Sequence, residues 1–222
     1  MLPEHAVVRP LLRSDVDKAV ELETLAFTNP AERASKAKIQ YRLSVCSELS
    51  LGVFLRNHEA ENNKSDSENP TFLKINSCDI YAAAYPSEID REEKLIAHII
   101  ATQSDKDTIT NESMEIPDLV DGRPVKNDSR GHINGGTSIA IHSLAVHPDY
   151  QSAHIGSSLL NDYTKRMSMH SVVDKVILIA HPEVAPFYVK NGFADCGTSS
   201  CDHAGETWVD LVYRIDDSDD SD

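Results

Sequence analysis

A mixed α/β fold with a parallel strand pair near the centre of its sheet is the class this chain predicts, and three stretches predict it. From Thr137 onward, Ile139, Ile141, Ser143 and Ala145 alternate with Ala140, His142, Leu144 and Val146, the pattern of a strand buried on both faces. Ile155, Leu159, Tyr163 and Met167 then recur every four residues and form one apolar helix face. Lys175 to Ala180 is a second short, buried strand. Strand, helix and strand in that order bring two strands side by side and parallel.

The other elements follow in sequence. Ala6 to Leu12 alternates but contains Pro10, which suits an edge strand. Ser14 is placed to cap a helix whose first turn carries Asp15 and Asp17, whose apolar positions are Val16, Ala19, Val20 and Leu22, and which ends near Phe27. Asn29-Pro30 breaks the pattern. A second helix spans Arg33 to Cys46, with Ile39, Leu43 and Cys46 on one side. Ser50 to Leu55 and Leu95 to Thr102 read as strands. Between and after them lie two polar surface insertions, near 57–74 and 104–136; within the second, Asp105 to Met114 is expected to form a helix beside a site mouth. Glu183 to Lys190 is a short helix with Gly192 as its C′ residue, and Phe193 to Cys196 and Thr207 to Ile215 supply closing strands. This organisation makes residues 1–215 a single domain and leaves 216–222, with five aspartates, as a solvated tail.

Charge narrows the function classes. The 222 residues carry a formal net charge of -15, so binding to a nucleic-acid backbone, which depends on Lys and Arg, is not expected. Cationic small molecules or basic peptides are the natural partners of such a surface. No apolar run approaches the ~20 residues of a membrane span, and no leader pattern opens the chain. Cys46, Cys78, Cys196 and Cys201 show no paired spacing and read as reduced thiols, which places the chain in the cytoplasm or nucleus. A zinc site on Cys196 and Cys201 lacks a second ligand pair, so no metal is expected. A monomer is expected.

Chemistry concentrates where the strand ending at His147 gives way to the helix beginning near His154. A turn at that junction points backbone N–H groups, backed by the positive end of a helix, at whatever anion sits there. Gln151-Ser-Ala-His-Ile-Gly156 resembles the Gln/Arg-x-x-Gly-x-Gly/Ala loop of the GNAT N-acetyltransferase superfamily, with His154 standing at the first glycine position. Glu183-Val-Ala-Pro-Phe-Tyr-Val-Lys-Asn-Gly-Phe193 is similar to the superfamily's Ala-x-x-Phe-Tyr-x-x-x-Gly-Phe segment. Cys46-Ser-Glu-Leu-Ser-Leu-Gly-Val-Phe54 and His142-Ser-Leu-Ala-Val-His147 resemble segments of the arylalkylamine (serotonin) N-acetyltransferases and fungal polyamine acetyltransferases within it.

That resemblance implies a mostly antiparallel sheet with a splayed parallel pair, helices on both faces, and acetyl-CoA as co-substrate. It implies that the backbone of Leu144, Ala145 and Val146 grips the thioester and pantetheine, and that Gln151, Ser152, Ala153, His154, Ile155, Gly156 and Ser157 line the pyrophosphate. Ile179 would lie beside the coenzyme, Tyr188 would protonate the departing thiolate, and Phe27 would line the amine pocket. His142 would relay a proton from the substrate ammonium, a task that suits an imidazole of ordinary pKa near 6.5. A second relay histidine of the resembling family is replaced by Ala140. Glu21, Glu23 and Glu32 are acidic residues available to attract a polyamine. The activity implied is acetyl transfer to a primary amine, either an arylalkylamine or a polyamine. The contrasting reading is a coenzyme-binding module without turnover.

Overall fold

Two β-bulges decide which side chains the central sheet shows to which face. In the computed structural model, residues 2–3, 6–56, 93–120, 123–125 and 128–215 are described. The first polar insertion, near 57–74, the tail 216–222 and Cys78 lie outside them. Strands β1 (Ala6–Pro10), β2 (Leu51–Arg56), β3 (Glu93–Ser104), β6 (Ser138–Val146), β7 (Lys175–Ala180), β8 (Ala194–Thr198) and β9 (Val209–Arg214) form one sheet in the order β1-β2-β3-β6-β7-β9-β8. A two-residue pair, β4 (Leu119–Val120) with β5 (Arg123–Pro124), stands apart. Every neighbouring pair in the large sheet is antiparallel except β6 with β7.

On β3 the extra residue is Ile96, between Leu95 (opposite Phe54) and Ala97 (opposite Val53). On β6 it is His142, between Ile141 (opposite Ala101) and Ser143 (opposite Ile100). A residue inserted in one strand reverses the alternation beyond it. Ile139 and Ile141 therefore pack in the same cluster as helix α4 (Ile155–Met167), and past the bulge Leu144 and Val146 take over that face. Ala145 turns to the opposite cluster with helices α1 (Val16–Ala26) and α2 (Lys36–Val45). The simple alternation read from the sequence thus holds only as far as Ile141. Nor is the whole strand buried on both faces: His142, Leu144 and Val146 are half-buried.

Helices cover both faces, α1 and α2 on one, α4 and α5 (Ala185–Lys190) on the other. Ser35 caps α2 by accepting from the Lys38 N–H, so this helix starts three residues later than its polar pattern implied. At α1 the cap is not Ser14. A 3₁₀ turn, Arg13–Asp15, precedes the helix and Asp15 takes the N-cap position. Its carboxylate accepts from the Leu12 N–H at 2.9 Å and from Arg9 Nη1 at 2.7 Å, a charge-assisted bond that no serine hydroxyl matches. Among the described residues of the second insertion only α3 (Asn111–Met114) is helical, and Ile109 and Met114 are buried beside Ala140, Ile177 and Val212. That stretch is therefore partly core, with its helix confined to the last four residues of the range expected. Gly192, at φ 92, closes α5 while the Phe193 N–H returns to the Tyr188 carbonyl at 3.1 Å, as its C′ assignment requires.

Candidate functional site: a cleft where two parallel strands part

Strands β6 and β7 pair only through Ser138–Lys175, Ile139–Val176 and Ala140–Ile177. Beyond Ala140 they diverge, and a cleft of about 1220 Å³ opens between them. Of the residues singled out from the sequence, Phe27, His142, Leu144, Val146, Gln151, Ser152, His154, Ile155, Gly156, Ser157, Ile179 and Tyr188 line this cleft. Ala145 and Ala153 do not. The first is turned under α1 by the bulge, so only its backbone faces the strand edge; the second is exposed.

One end of the cleft is built from backbone. Ser158 is the first residue of α4 whose N–H returns to a carbonyl, that of His154, leaving the N–H groups of Ile155, Gly156 and Ser157 as the donors every helix start leaves unpaired. Ser152 (φ 64) and His154 (φ 60) both sit in the left-handed region, and both line the cleft. Gln151 Nε2 ties the loop to the strand end by donating to the Val146 carbonyl at 3.1 Å. Gly156 has ordinary space, since an added Cβ would meet nothing nearer than 3.5 Å. His154 is the conformationally costly position. A side chain in the left-handed region costs about 1–2 kcal/mol that glycine avoids. We expect His154→Gly to raise Tm by roughly 2–4 °C, the equivalent of about 1 kcal/mol in a chain of this size. A lower Tm in thermal denaturation would show that the imidazole itself holds the loop.

The other end carries titratable side chains. His142 Nε2 lies 2.8 Å from Thr102 Oγ1, and its Nδ1 is buried with no hydrogen-bond partner among the described residues. Burial, then the positive charges of Arg42 and Lys38 and the nearby His203, hold its pKa well below the usual imidazole value. Arg42 is itself fully buried, with Nη2 donating to the Met114 carbonyl at 3.1 Å, and burial pulls its pKa down to about 10. Tyr188, on α5, is buried between Phe187 and Phe193, with ring centroids at 5.0 and 5.8 Å. Burial alone pushes its phenol above the usual tyrosine value.

Four further residues complete this end, and the sequence had pointed only to Glu32. His181 Nε2 lies 3.1 Å from Glu32 Oε2, and its ring stacks on Trp208 with centroids 4.2 Å apart. Trp208 Nε1 donates to the His203 carbonyl at 2.8 Å, so three loops meet at one aromatic surface. The period-two run Ile177, Ile179, His181 was the signal for His181, masked because Pro182 ends the strand. No local pattern marks His203 or Trp208. Of the acidic residues named for amine attraction, Glu32 lines the cleft, Glu21 is exposed, and Glu23 is 1% exposed and bonded inside the protein, so it is not available.

This geometry has relatives. The chain resembles the loading GNATL domain of CurA from Lyngbya majuscula, with TM-score 0.61 and 13% identity over 96% of this chain and 98% of that one. It resembles the PaiA N-acetyltransferase of Thermoplasma acidophilum, solved in complex with coenzyme A, with TM-score 0.53 and 14% identity over 95% and 99%. At such identities these matches establish the fold alone. In sequence, 124 residues are 28% identical to serotonin N-acetyltransferase of Mesocricetus auratus, covering 56% of this chain and 53% of that protein, so the match spans about half of this curated relative. No helix among the described residues is long and apolar enough to cross a membrane. A family profile described as an acetyltransferase (GNAT) domain matches residues 81–215, more than half of the chain and the whole of the parted strand pair with its donor loop: the chain belongs to the GNAT acetyltransferase family.

Proposed function

We propose that this protein moves acetyl from acetyl-CoA to a primary amine that is cationic in water, by direct attack within a ternary complex. One observation carries the reading: a single cleft joins a backbone N–H row suited to a pyrophosphate with an end lined by His142, Tyr188, Phe27, Trp208 and Glu32. The residues present suit acetyl-CoA. Orphan amides at the α4 start match its phosphates, and the exposed backbone of β6 beyond Ala140 is a strand edge for the pantetheine amides. Holding both substrates in one cleft supplies proximity, so no covalent acyl-enzyme is needed. Tyr188 stays protonated at neutral pH and gives its proton to the departing thiolate. His142, a neutral imidazole oriented by Thr102, forms part of the wall against which the amine is positioned.

The amine is an arylalkylamine or a polyamine. Trp208 and Phe27 offer aromatic surface to either. Thiol release from acetyl-CoA with tryptamine, phenethylamine, spermine and a lysine peptide tests the reading and ranks the classes. Acetyl-CoA binding by calorimetry without release above background for any amine would establish a binding module instead.

His142 gives a sharper expectation. Because its folded-state pKa is depressed, it is already deprotonated above pH 6.5 and does not titrate between pH 6.5 and 8. His142→Ala is expected to lower kcat at least about tenfold while leaving the pH dependence over that interval unchanged. Loss of a pH-dependent limb between 6.5 and 8 in the variant would mean that His142 does carry the proton.

A further inference from the structure

An amine that arrives protonated must lose a proton before it attacks, and His142 is badly placed to keep one. Its surroundings are Arg42, Lys38 and His203, and among the described residues no carboxylate is bonded to it. Across the cleft, at the end of the other parted strand, stands an imidazole in the opposite situation. His181 follows Ala180 on β7 and shares the parity of Ile177 and Ile179, which pack with Met114 and Ala140 on the amine side of the sheet. Its Nε2 faces the Glu32 carboxylate at 3.1 Å, and Nδ1 has no partner among the described residues. An imidazole that donates Nε2–H to a carboxylate keeps its Nδ1 lone pair free, and the carboxylate stabilises the imidazolium formed when that lone pair takes a proton.

We propose that His181, oriented by Glu32 and shelved on Trp208, is the general base that deprotonates the acceptor amine. This rests on the acetyltransferase reading above. In the first step the substrate ammonium gives one proton to His181 Nδ1, directly or through one water. The freed nitrogen lone pair attacks the thioester carbonyl carbon, forming the C–N bond. As the C–S bond breaks, the sulfur takes the Tyr188 phenolic proton, and the second proton lost by the nitrogen restores the phenol. His181 then releases its proton to solvent, giving amide, free thiol and one proton overall. Glu32 acts only through His181 and is a positioning residue. It also links the step to substrate binding, because the turn Pro30–Glu32 follows Phe27 at the cleft wall.

The charged and titratable groups that line the cleft with His181 are Glu32 from the 3₁₀ turn, His142 from β6, Tyr150 and His154 before and at the start of α4, Glu183 before α5, Tyr188 and Lys190 on α5, and His203 and Glu206 from the β8–β9 loop; Asp210 is buried on β9 opposite Ile179. Of these groups only Glu32 is bonded to the His181 ring among the described residues, whereas no carboxylate is bonded to His142.

The test compares the full chain with His181→Gln, Glu32→Gln and His142→Ala in steady-state thiol release across pH 5.5–9.5, using the best amine of the panel. Acetyl-CoA calorimetry on each variant shows that it is folded. His181→Gln is expected to lower kcat about 10²-fold near pH 7, with amine KM and acetyl-CoA affinity changed less than about threefold. Its deficit should shrink as pH approaches the amine's own pKa, where free amine supplies itself. Glu32→Gln is expected to lower kcat about tenfold and move the acid limb to lower pH, since the imidazolium loses its counter-charge; a merely structural contact would not move the limb. An unchanged acid limb in both variants, with His181→Gln within threefold of the parent, overturns the proposal while the transfer reading stands. Absence of turnover in the parent chain, with acetyl-CoA bound, overturns both.

Discussion

Tyr188→Phe is expected to lower kcat about 10²-fold and to leave acetyl-CoA affinity and Tm near those of the parent. The substitution is clean because of where the ring sits. Tyr188 is held edge-on by Phe187 and Phe193 in a buried aromatic group, and phenylalanine fills the same volume. Burial raises its pKa, and among the described residues the hydroxyl has no hydrogen-bond partner that its removal would orphan. What disappears is one proton donor in the cleft. A phenol held above its ordinary value remains protonated throughout the neutral range, so the parent should show no alkaline limb from this group below about pH 10. A weaker acid also gives up its proton less readily, and only a strongly basic leaving thiolate draws it out. That dependence separates this role from simple packing: the deficit in Tyr188→Phe should shrink with donors whose thiols are more acidic than coenzyme A, because they depart without help. Turnover of the variant within threefold of the parent, for coenzyme A itself, would remove Tyr188 from the chemistry.

Tyr188 and the α4 loop were legible because each is a local arrangement. A strand, a turn, and a helix that opens on Ile155-Gly156 with one apolar face place a backbone row wherever they occur, and the short helix carrying Tyr188 ends on Gly192, whose C′ place the sequence implied and whose φ is 92. The fold class was legible for the same reason, since periodicity reports which faces are buried. What the pattern could not carry was the bulge at His142. Nothing in Ile141-His142-Ser143 distinguishes an inserted residue from the next member of an alternation, because the insertion is defined by the partner strand. The consequence is that the Ala145 side chain packs under α1, on the face that simple alternation would have given to Leu144. His181, Trp208 and His203 were missed for a related reason. They are joined only in space, through the turn that carries Glu32 and the β8–β9 loop, and separations of 149 residues leave no trace in a linear motif. The end of the cleft at His181 is a tertiary object, whereas the end at the start of α4 is a secondary-structure object.

Glu23→Ala is expected to destabilise the fold by about 3–5 kcal/mol, as removal of one partner from a buried charged cluster does, and Tm should fall by roughly 10 °C or more. Glu23, His98 and Ser143 are all buried, at 1%, 0% and 6% exposure, so water cannot substitute for any of them. Glu23 Oε1 accepts from Ser143 Oγ and lies 3.0 Å from His98 Nε2, while Oε2 accepts the Ala34 N–H at 3.0 Å. Burial alone would raise the Glu23 pKa, but the His98 bond and charge, the Ser143 hydroxyl and the Ala34 amide outweigh it and hold the carboxyl below its ordinary value. The sign follows: the carboxylate stabilises the native state above the ordinary glutamate range, and that contribution is lost as pH falls through the lower, folded-state value. The alanine variant should therefore be less stable at neutral pH and lose less stability on acidification below about pH 4.5. Glu23→Ala also strands His98, whose Nδ1 already has no partner among the described residues. Replacing all three polar side chains together, as Glu23→Leu with His98→Phe and Ser143→Ala, should recover much of the loss, because none of the three fully buried side chains is then left with an unmatched polar atom and only the half-buried Ala34 N–H loses its acceptor. Function should not recover with it. The Ala34 amide anchors the segment that carries Phe27 and Glu32 to the cleft, and without the Glu23 acceptor that segment is no longer tied to β6. The triple variant is expected to regain Tm while its amine KM stays at least about tenfold above the parent's, equivalent to about 1.4 kcal/mol of lost binding. Recovery of both would confine Glu23 to stability; recovery of Tm alone would make this buried carboxylate the joint between the folded sheet and the amine it receives.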